Sequence, residues 1–338
     1  MKINISIILP AYNSAKYISL TIKSILSQSY RQFELIIIVD PSSDNTIQEI
    51  KKFKDKRIVL VINKIRLGLS RSLNSGIKKA KSEFIARADS DDFYPKNRLK
   101  EQYSYLLKNP TVDIVGANSI TFEKNKKIRF YYPQKSDLIK WGMAFFCPFS
   151  HPTIMVKKEI FYRYGFYPIM KFEDYNFYIK LVDKIKFANI PEFLCYKRKH
   201  NENLSTIKDE ADRSEESKGY ARFILKMYNI RVKKNQVDIL IYGTTKRPSK
   251  NNVKQTIKVI KTLRNKFIEK FPKEKKSINV DTVLRIIIIC LENKSFYNLF
   301  FNIFYFFTLD KFFFYHFFLK LFNRYILNKH NLVALNEK

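Results

Sequence analysis

The sequence predicts an α/β fold, a mostly parallel sheet flanked by helices and followed by a helical C-terminal extension. Three observations carry this. Short apolar runs alternate with helical patterns up to about residue 92, acidic residues fall directly after several of those runs, and the composition turns lysine-rich from about residue 209.

The elements follow in order. Ile5 to Leu9 reads as a strand, Lys16 to Ser27 as a helix, Phe33 to Val39 as a strand and Asn45 to Phe53 as a helix. Ile58 to Ile62, Leu69 to Lys81 and Phe84 to Ala88 continue the alternation as strand, helix, strand. Right-handed crossovers place the loops after Leu9, Val39, Ile62 and Ala88 at the carboxyl edge of a parallel sheet, where open α/β folds bind ligands. From Pro95 to Leu204 the pattern is mixed. A helix is expected near Asn97 to Leu107 and another over Phe172 to Val182, with strands near Asp113 to Phe122, Ile128 to Tyr132, Thr153 to Val156 and Phe193 to Tyr196. The change of character near residues 205–210 divides the chain into a nucleotide-binding and catalytic region, 1–208, and a basic, aromatic-rich helical region, 209–338.

Composition narrows the class. With 46% hydrophobic and 15% aromatic residues the 338-residue chain has material for a core, and 7 glycines leave no room for a glycine-rich linker. Cys147, Cys195 and Cys290 are odd in number and widely spaced, which excludes a disulfide framework or a CxxC metal knuckle and makes a reducing, cytoplasmic setting the expectation. The opening Met1 to Pro10 is strand-like and lacks the longer apolar stretch and cleavage site of a signal peptide, so export is not expected. The formal charge of +32 calls for an anionic partner, whether nucleic acid, lipid or phosphorylated substrate, unless it is simply a solvated basic surface. The aromatics cluster in a charge-free block, Ser295 to Leu309, rather than interleaving with Lys and Arg, which argues against a specific nucleic-acid partner. Neither that block nor Phe312 to Leu319 reaches the roughly 20 apolar residues of a membrane span. An interfacial helix, with Lys311, Lys320, Arg324 and Lys329 facing anionic headgroups, is one reading; a hairpin packed on its own domain or on a second subunit of a homo-oligomer is the other.

Four clusters offer chemistry. Asp89, Asp91 and Asp92 crowd together after a strand, an arrangement that repels itself unless a hard divalent cation joins it, although an acidic turn has the same composition. Asp40 ends the second strand on the same edge and can accept hydrogen bonds from a base or ribose, while Asp44 or Ser43 can cap the next helix. Glu173 and Asp174 open a helix. The helix dipole explains two acids there, and a general base near an acceptor hydroxyl explains them equally. Tyr196 to His200 supplies cations and an imidazole, either as a basic loop or as a ligand-binding strand end.

In this order the pieces resemble a family 2 glycosyltransferase with the Rossmann-like GT-A fold. The resemblance rests on Ser6-Ile7-Ile8-Leu9-Pro10-Ala11-Tyr12-Asn13, Ile38-Val39-Asp40 with Ser42 to Thr46, Arg66-Leu67-Gly68, Leu73-Asn74-Ser75-Gly76 and Phe84 to Asp92. It continues through His151-Pro152-Thr153 and Glu173-Asp174-Tyr175, covering residues 3 to 205. It implies an inverting transfer from a UDP-sugar (UDP-GlcNAc, UDP-Gal, UDP-GalNAc or UDP-Glc) to a glycan or lipid-linked glycan acceptor in bacterial surface polysaccharide or lipopolysaccharide synthesis. Donor contacts would come from Pro10, Ala11, Tyr12, Asn13, Asp40, Arg66, Asp89, Ser90 and Arg198. Mn²⁺ or Mg²⁺ would be held by Asp91 or Asp92 and by His200, the acceptor would meet His151 and Glu173, and Asp174 would be the base. Two departures stand out: Val39-Asp40-Pro41 keeps one acid and no glycine where the family has an acid pair and glycine, and Ser82 replaces a glycine before the fourth strand. No QxxRW segment is present, which argues against a processive synthase. The extension, with 26 Lys+Arg against 10 Asp+Glu over residues 211–338, is expected to hold the enzyme peripherally on the inner face of the membrane.

Overall fold

A computed structural model describes residues 3–123, 126–200, 209–243 and 249–295, with Asn298 and Asn302. The chain divides into two compact units, Met1–Ser136 with Phe149–Ile207, and Asp137–Pro148 with the residues from Lys208 on. Most of the aromatic block and all of Phe312 to Leu319 lie outside the described residues.

The first unit runs β1 (Ile5–Ala11), α1 (Ala15–Leu26), β2 (Phe33–Val39), α2 (Thr46–Lys51), β3 (Ile58–Ile62), α3 (Leu69–Lys79), β4 (Phe84–Arg87) and α4 (Arg98–Lys108). After β5 (Ile114–Glu123) and β6 (Lys126–Phe130), α5 (Ser136–Gly142) crosses into the second unit. The chain returns as a 3-10 turn at His151–Thr153, then β7 (Met155–Lys157), α6 (Lys158–Tyr164), α7 (Glu173–Leu181) and β8 (Phe187–Arg198). The sheet order is β3-β2-β1-β4-β7-β5-β6, with β8 paired to β5. Strands β1 to β4 are mutually parallel, whereas β7 is antiparallel to both β4 and β5.

Helices on both faces bury every residue of β2 and nearly all of β1, which is why these strands read as unbroken apolar runs. α3 lies close on the sheet at Gly76, where a Cβ would come within 2.6 Å of Ile38 Cδ1 and 2.7 Å of Ile8 Cγ2. Ser82 fits before β4 because its hydroxyl bonds Ser6 Oγ at 2.7 Å and donates to the Phe84 carbonyl. The expected short strand at Phe193 to Tyr196 is a twelve-residue strand that starts at Phe187, and α5 and α6 are additions to the expected elements.

The second unit contains α8 (Glu210–Tyr228), α9 (Lys234–Tyr242), α10 (Lys250–Lys270) and α11 (Lys275–Glu292). Residues 137–148 join it through Trp141, which is buried against Phe145 and Phe267 and donates from Nε1 to Asp281 Oδ2 at 2.6 Å. α10 buries Val253, Ile257, Ile260, Leu263 and Phe267 at helical spacing and leaves Lys250, Lys254 and Lys258 exposed.

Candidate active site

The site is built at the carboxyl edge of β1, β2 and β4, where side chains stitch neighbouring loops together. The Asn13 amide donates to Ser42 Oγ at 3.1 Å, and Asn13 Oδ1 accepts from the Ser43 amide at 2.9 Å, with Asn13 at φ 47°. Ser14 N–H donates to Thr46 Oγ1 at 2.7 Å and Ala15 N–H to Asp44 Oδ2 at 2.9 Å, so Asp44 caps α1 from a neighbouring loop. Partial burial opposes the charge on Asp44, but the hydrogen bonds from Thr46 and Ala15 outweigh it and lower its pKa. Pro10 and Ala11 are the last residues of β1, paired in register with Ile38 and Val39. Beyond them Tyr12 is 39% exposed, and the Arg66 guanidinium lies 4.0 Å from its ring centroid.

Asp40, the expected base contact, follows β2 directly. It is buried, and its carboxylate accepts from Asn63 Nδ2 at 2.8 Å, the Gly68 amide at 2.8 Å and Ser72 Oγ at 3.2 Å. The carboxylate thereby anchors the segment that carries Arg66, and Gly68, at φ 77°, supplies the turn that aims its amide.

The acidic turn after β4 is pinned to α1. Thr21 Oγ1 bonds the carbonyls of Ser90 and Asp92 at 2.9 and 2.8 Å, and Ser90 Oγ bonds Ser14 Oγ at 2.7 Å. Asp89, Asp91 and Asp92 each bring a carboxylate oxygen within 4.8 Å of the others. The end of β8 closes on them: His200 Nε2 is 2.8 Å from Asp91 Oδ2, the Arg198 amide donates to Asp92 Oδ1 at 3.1 Å, and Arg198 Nε donates to the Asp91 carbonyl at 3.3 Å. Tyr17 of α1 backs both, with the Arg198 guanidinium 4.7 Å and the His200 ring 5.1 Å from its own. Burial, then the charges of Asp89 and Asp91, push the Asp92 carboxyl up to about 8; burial and Asp89 also raise Asp91. Clustered carboxylates held against their own repulsion form a hard oxygen donor set, with one imidazole beside it, that fits Mg²⁺ or Mn²⁺. Asp92 is the most buried of the three and its oxygens face the Arg198 amide and the Cys195 thiol.

A second acid pair opens α7. Phe172, just before it, is in the left-handed region at φ 55°, an uncommon conformation for an aromatic residue, and it turns the chain so that Glu173 and Asp174 start the helix. The Tyr175 amide donates to Asp174 Oδ1 at 2.7 Å. Burial, then its neighbour Asp174, pushes Glu173 up to about 8, and burial raises Asp174 as well. His151, expected to touch an acceptor, is buried beside this pair, its Nδ1 3.7 Å from Glu173 Oε1 and 3.9 Å from Asp174 Oδ2.

Three residues that the sequence reading gave no role, Arg87, Tyr17 and Tyr167, belong here, together with Lys197 of the expected cationic cluster. Arg87 ends β4, is buried, and pairs with Asp89 while its charge also lowers the carboxyls of Glu173 and Asp174. Burial disfavours that charge, but Asp89 more than restores it. Lys197 of β8 is held charged in the same way, against burial, by groups that include Tyr132 and Asp92. Tyr17 and Tyr167 complete the set. A cation inside an otherwise apolar strand, as in Phe84-Ile85-Ala86-Arg87, was the available signal for Arg87; Tyr167 lies in a loop without any pattern.

Comparisons with known proteins agree with this architecture. The model of the family described as glycosyl transferase family 2 matches residues 6–177. The chain is 33% identical over 191 residues to the UDP-Glc:alpha-D-GlcNAc-diphosphoundecaprenol beta-1,3-glucosyltransferase WfgD of Escherichia coli, covering 56% of this chain and 73% of that one. It is 28% identical over 267 residues to the bifunctional glycosyltransferase pgtA of Dictyostelium discoideum, covering 65% of this chain but only 34% of that protein. Among solved structures, S. aureus TarS 1-349 in complex with UDP-GlcNAc superposes with a TM-score of 0.58 at 18% identity, covering 88% of this chain and 89% of that one, and shares its fold.

Proposed function

Because the chain belongs to glycosyl transferase family 2, with the GT-A fold, we propose that it moves a hexosyl or N-acetylhexosaminyl group from a UDP-sugar to a glycan hydroxyl in surface polysaccharide synthesis. The observation that carries this reading is the joining of a stacked Tyr12–Arg66 wall and a carboxylate trio along one sheet edge. Tyr12 and Arg66 would receive the base, with Asn13 and the anchored Asp40 fixing the loops that present them. Asp89 and Ser90 would meet the ribose and sugar. Held by Asp91 with Asp89 and His200, Mg²⁺ or Mn²⁺ would supply positive charge against the diphosphate; Asp92, turned to the Arg198 amide, would act as a support more than a ligand. Arg198 and Lys197 add protein cations on the same side, where negative charge grows as the anomeric bond breaks.

Asp174 takes the proton of the attacking hydroxyl, and Glu173 lines the acceptor side. A single displacement from the face opposite the diphosphate inverts the anomeric carbon, so an α-linked donor gives a β-linked product. The relative WfgD is named for UDP-Glc and a diphosphoundecaprenol-linked acceptor, and the TarS structure holds UDP-GlcNAc; both support a UDP-sugar here, and the first supports a lipid-linked acceptor.

The test is a panel of UDP-GlcNAc, UDP-Gal, UDP-GalNAc and UDP-Glc with Mn²⁺, reading released UDP with a lipid-diphosphate-linked sugar as acceptor. One donor should turn over. Asp91→Asn and chelation should each remove that turnover, and Asp174→Asn should lower it about 100-fold or more. Turnover that ignores both the chelator and Asp91→Asn would overturn the metal assignment; failure of UDP to bind in the presence of Mn²⁺ would overturn the donor class.

A further inference from the structure

Tyr167 is held from three directions. Its amide donates to Asn74 Oδ1 at 3.1 Å and its carbonyl accepts from Asn74 Nδ2 at 2.9 Å, a reciprocal pair that fixes the backbone to α3. Its ring packs on Phe177 and Phe161, with centroids 4.7 and 5.5 Å away. Its hydroxyl lies 3.1 Å from His151 Nε2, and it is buried, so the phenol keeps its proton. His151 in turn sits on the 3-10 turn that opens at Ser150 and faces the acid pair of α7 with its other nitrogen, Nδ1.

The charged and titratable groups around this imidazole are Arg87 from β4, Lys197 from β8, Tyr167 from the loop after α6, and Glu173 and Asp174 from α7. Burial, then the two cations, keep the ring neutral. A neutral imidazole carries one N–H, so the two arrangements are unequal. With the hydrogen on Nε2, the Nδ1 lone pair would face carboxyl oxygens at 3.7 and 3.9 Å. With it on Nδ1, an N–H dipole faces those oxygens and the Tyr167 hydroxyl donates to Nε2.

We propose that Tyr167 and His151 are a positioning pair: the tyrosine locks the imidazole in its Nδ1–H form, and that N–H steadies the Glu173–Asp174 carboxyls. This rests on the transferase reading in which Asp174 is the base. The dipole favours the ionised carboxylate by less than a further full charge would, and so adds little to the lowering that Arg87 and Lys197 already exert on Asp174. In this reading both residues act through the acid pair.

Side-chain geometry supplies the test. An asparagine in place of His151 puts its amide nitrogen near the site of Nδ1, and a glutamine puts it near Nε2. His151→Asn is expected to keep kcat within about threefold of the parent, while His151→Gln loses about tenfold or more with the donor KM nearly unchanged. Tyr167→Phe should lower kcat in the parent and have no further effect in the His151→Asn background. Equal loss in the asparagine and glutamine variants, or a Tyr167→Phe effect that persists in the His151→Asn background, would overturn the proposal. A second readout does not use activity: in ¹⁵N-histidine-labelled full-length protein, with His151→Asn to assign the signal, His151 should show the Nδ1–H tautomer and stay neutral where an exposed imidazole takes up a proton. An Nε2–H tautomer in an active enzyme overturns this pair alone; the Nδ1–H tautomer in a protein inert toward every donor overturns the transferase reading instead.

Discussion

At Asp92 a single carboxyl shows how the site is charged. With its pKa pushed up to about 8 by burial and by Asp89 and Asp91, it binds more protons folded than unfolded between pH 4 and 8. An acid raised in this way makes stability fall as pH rises through that window. The chelated protein should therefore melt at progressively lower temperature from pH 5 to pH 8, and Mn²⁺ should raise the melting temperature most at the upper end. A Mn²⁺ effect that is larger at pH 5 would contradict the assignment of the trio. The acids themselves were legible, because three carboxylates after a strand stand out in any sequence. Their partners were not. Arg87 reaches Asp89 and the α7 acids only because β4 ends against the turn that precedes β7, a relation no local spacing encodes. Asp40 was legible as a site acid, yet its place as an anchor depends on Asn63, Gly68 and Ser72 returning from the next β-α unit.

Among the elements, α3 and α5 make opposite demands on size. α3 needs no side chain at Gly76, where Ile8 and Ile38 of the sheet fill the space; Gly76→Val should destabilise by about 2–3 kcal/mol, read as a lowered urea midpoint with an unchanged slope. α5 needs a large one, and Trp141→Ala should cost about 3–5 kcal/mol through the cavity among Phe145, Phe267 and Asp281. The β-α alternation up to β4 was legible because strands buried on both faces are continuously apolar and their helices are amphipathic. Beyond β4 the expected α4, β5, β6, β7 and α7 lie close to where the pattern put them, but only the end of β8 was legible, because that strand carries a register shift at its pairing with β5 between Ala117 and Ser119. Residues 137–148 gave no sign that they would join the C-terminal helices, since Trp141 finds Phe267 and Asp281 more than a hundred positions away.

For the whole molecule, the charge of +32 has a counterpart on α10, whose exposed Lys250, Lys254 and Lys258 recur at four-residue spacing opposite its buried face. Among the described residues no helix is long and apolar enough to cross a membrane. Peripheral attachment to an anionic surface, the expectation drawn from the sequence, would rest on salt-sensitive attraction. Full-length protein should sediment with vesicles containing phosphatidylglycerol and not with phosphatidylcholine alone, and triple replacement of those lysines by glutamine should lower the bound fraction severalfold at about 0.1 M salt. Retention on neutral vesicles, or indifference to the triple substitution, would remove α10 from the attachment. The stitched loops at the sheet edge have a further, entropic consequence. Ordering a residue's backbone costs about 1–2 kcal/mol, and the ties of Asn13, Ser14 and Ala15 to Ser42, Ser43, Asp44 and Thr46 meet that cost when the chain folds. A nucleotide arriving there finds walls already set, and its binding free energy is not diminished by assembling them. Amide hydrogen exchange at residues 12–15 and 42–46 should accordingly change little when UDP binds; a large gain in protection would mean that the ligand, and not the fold, builds the pocket.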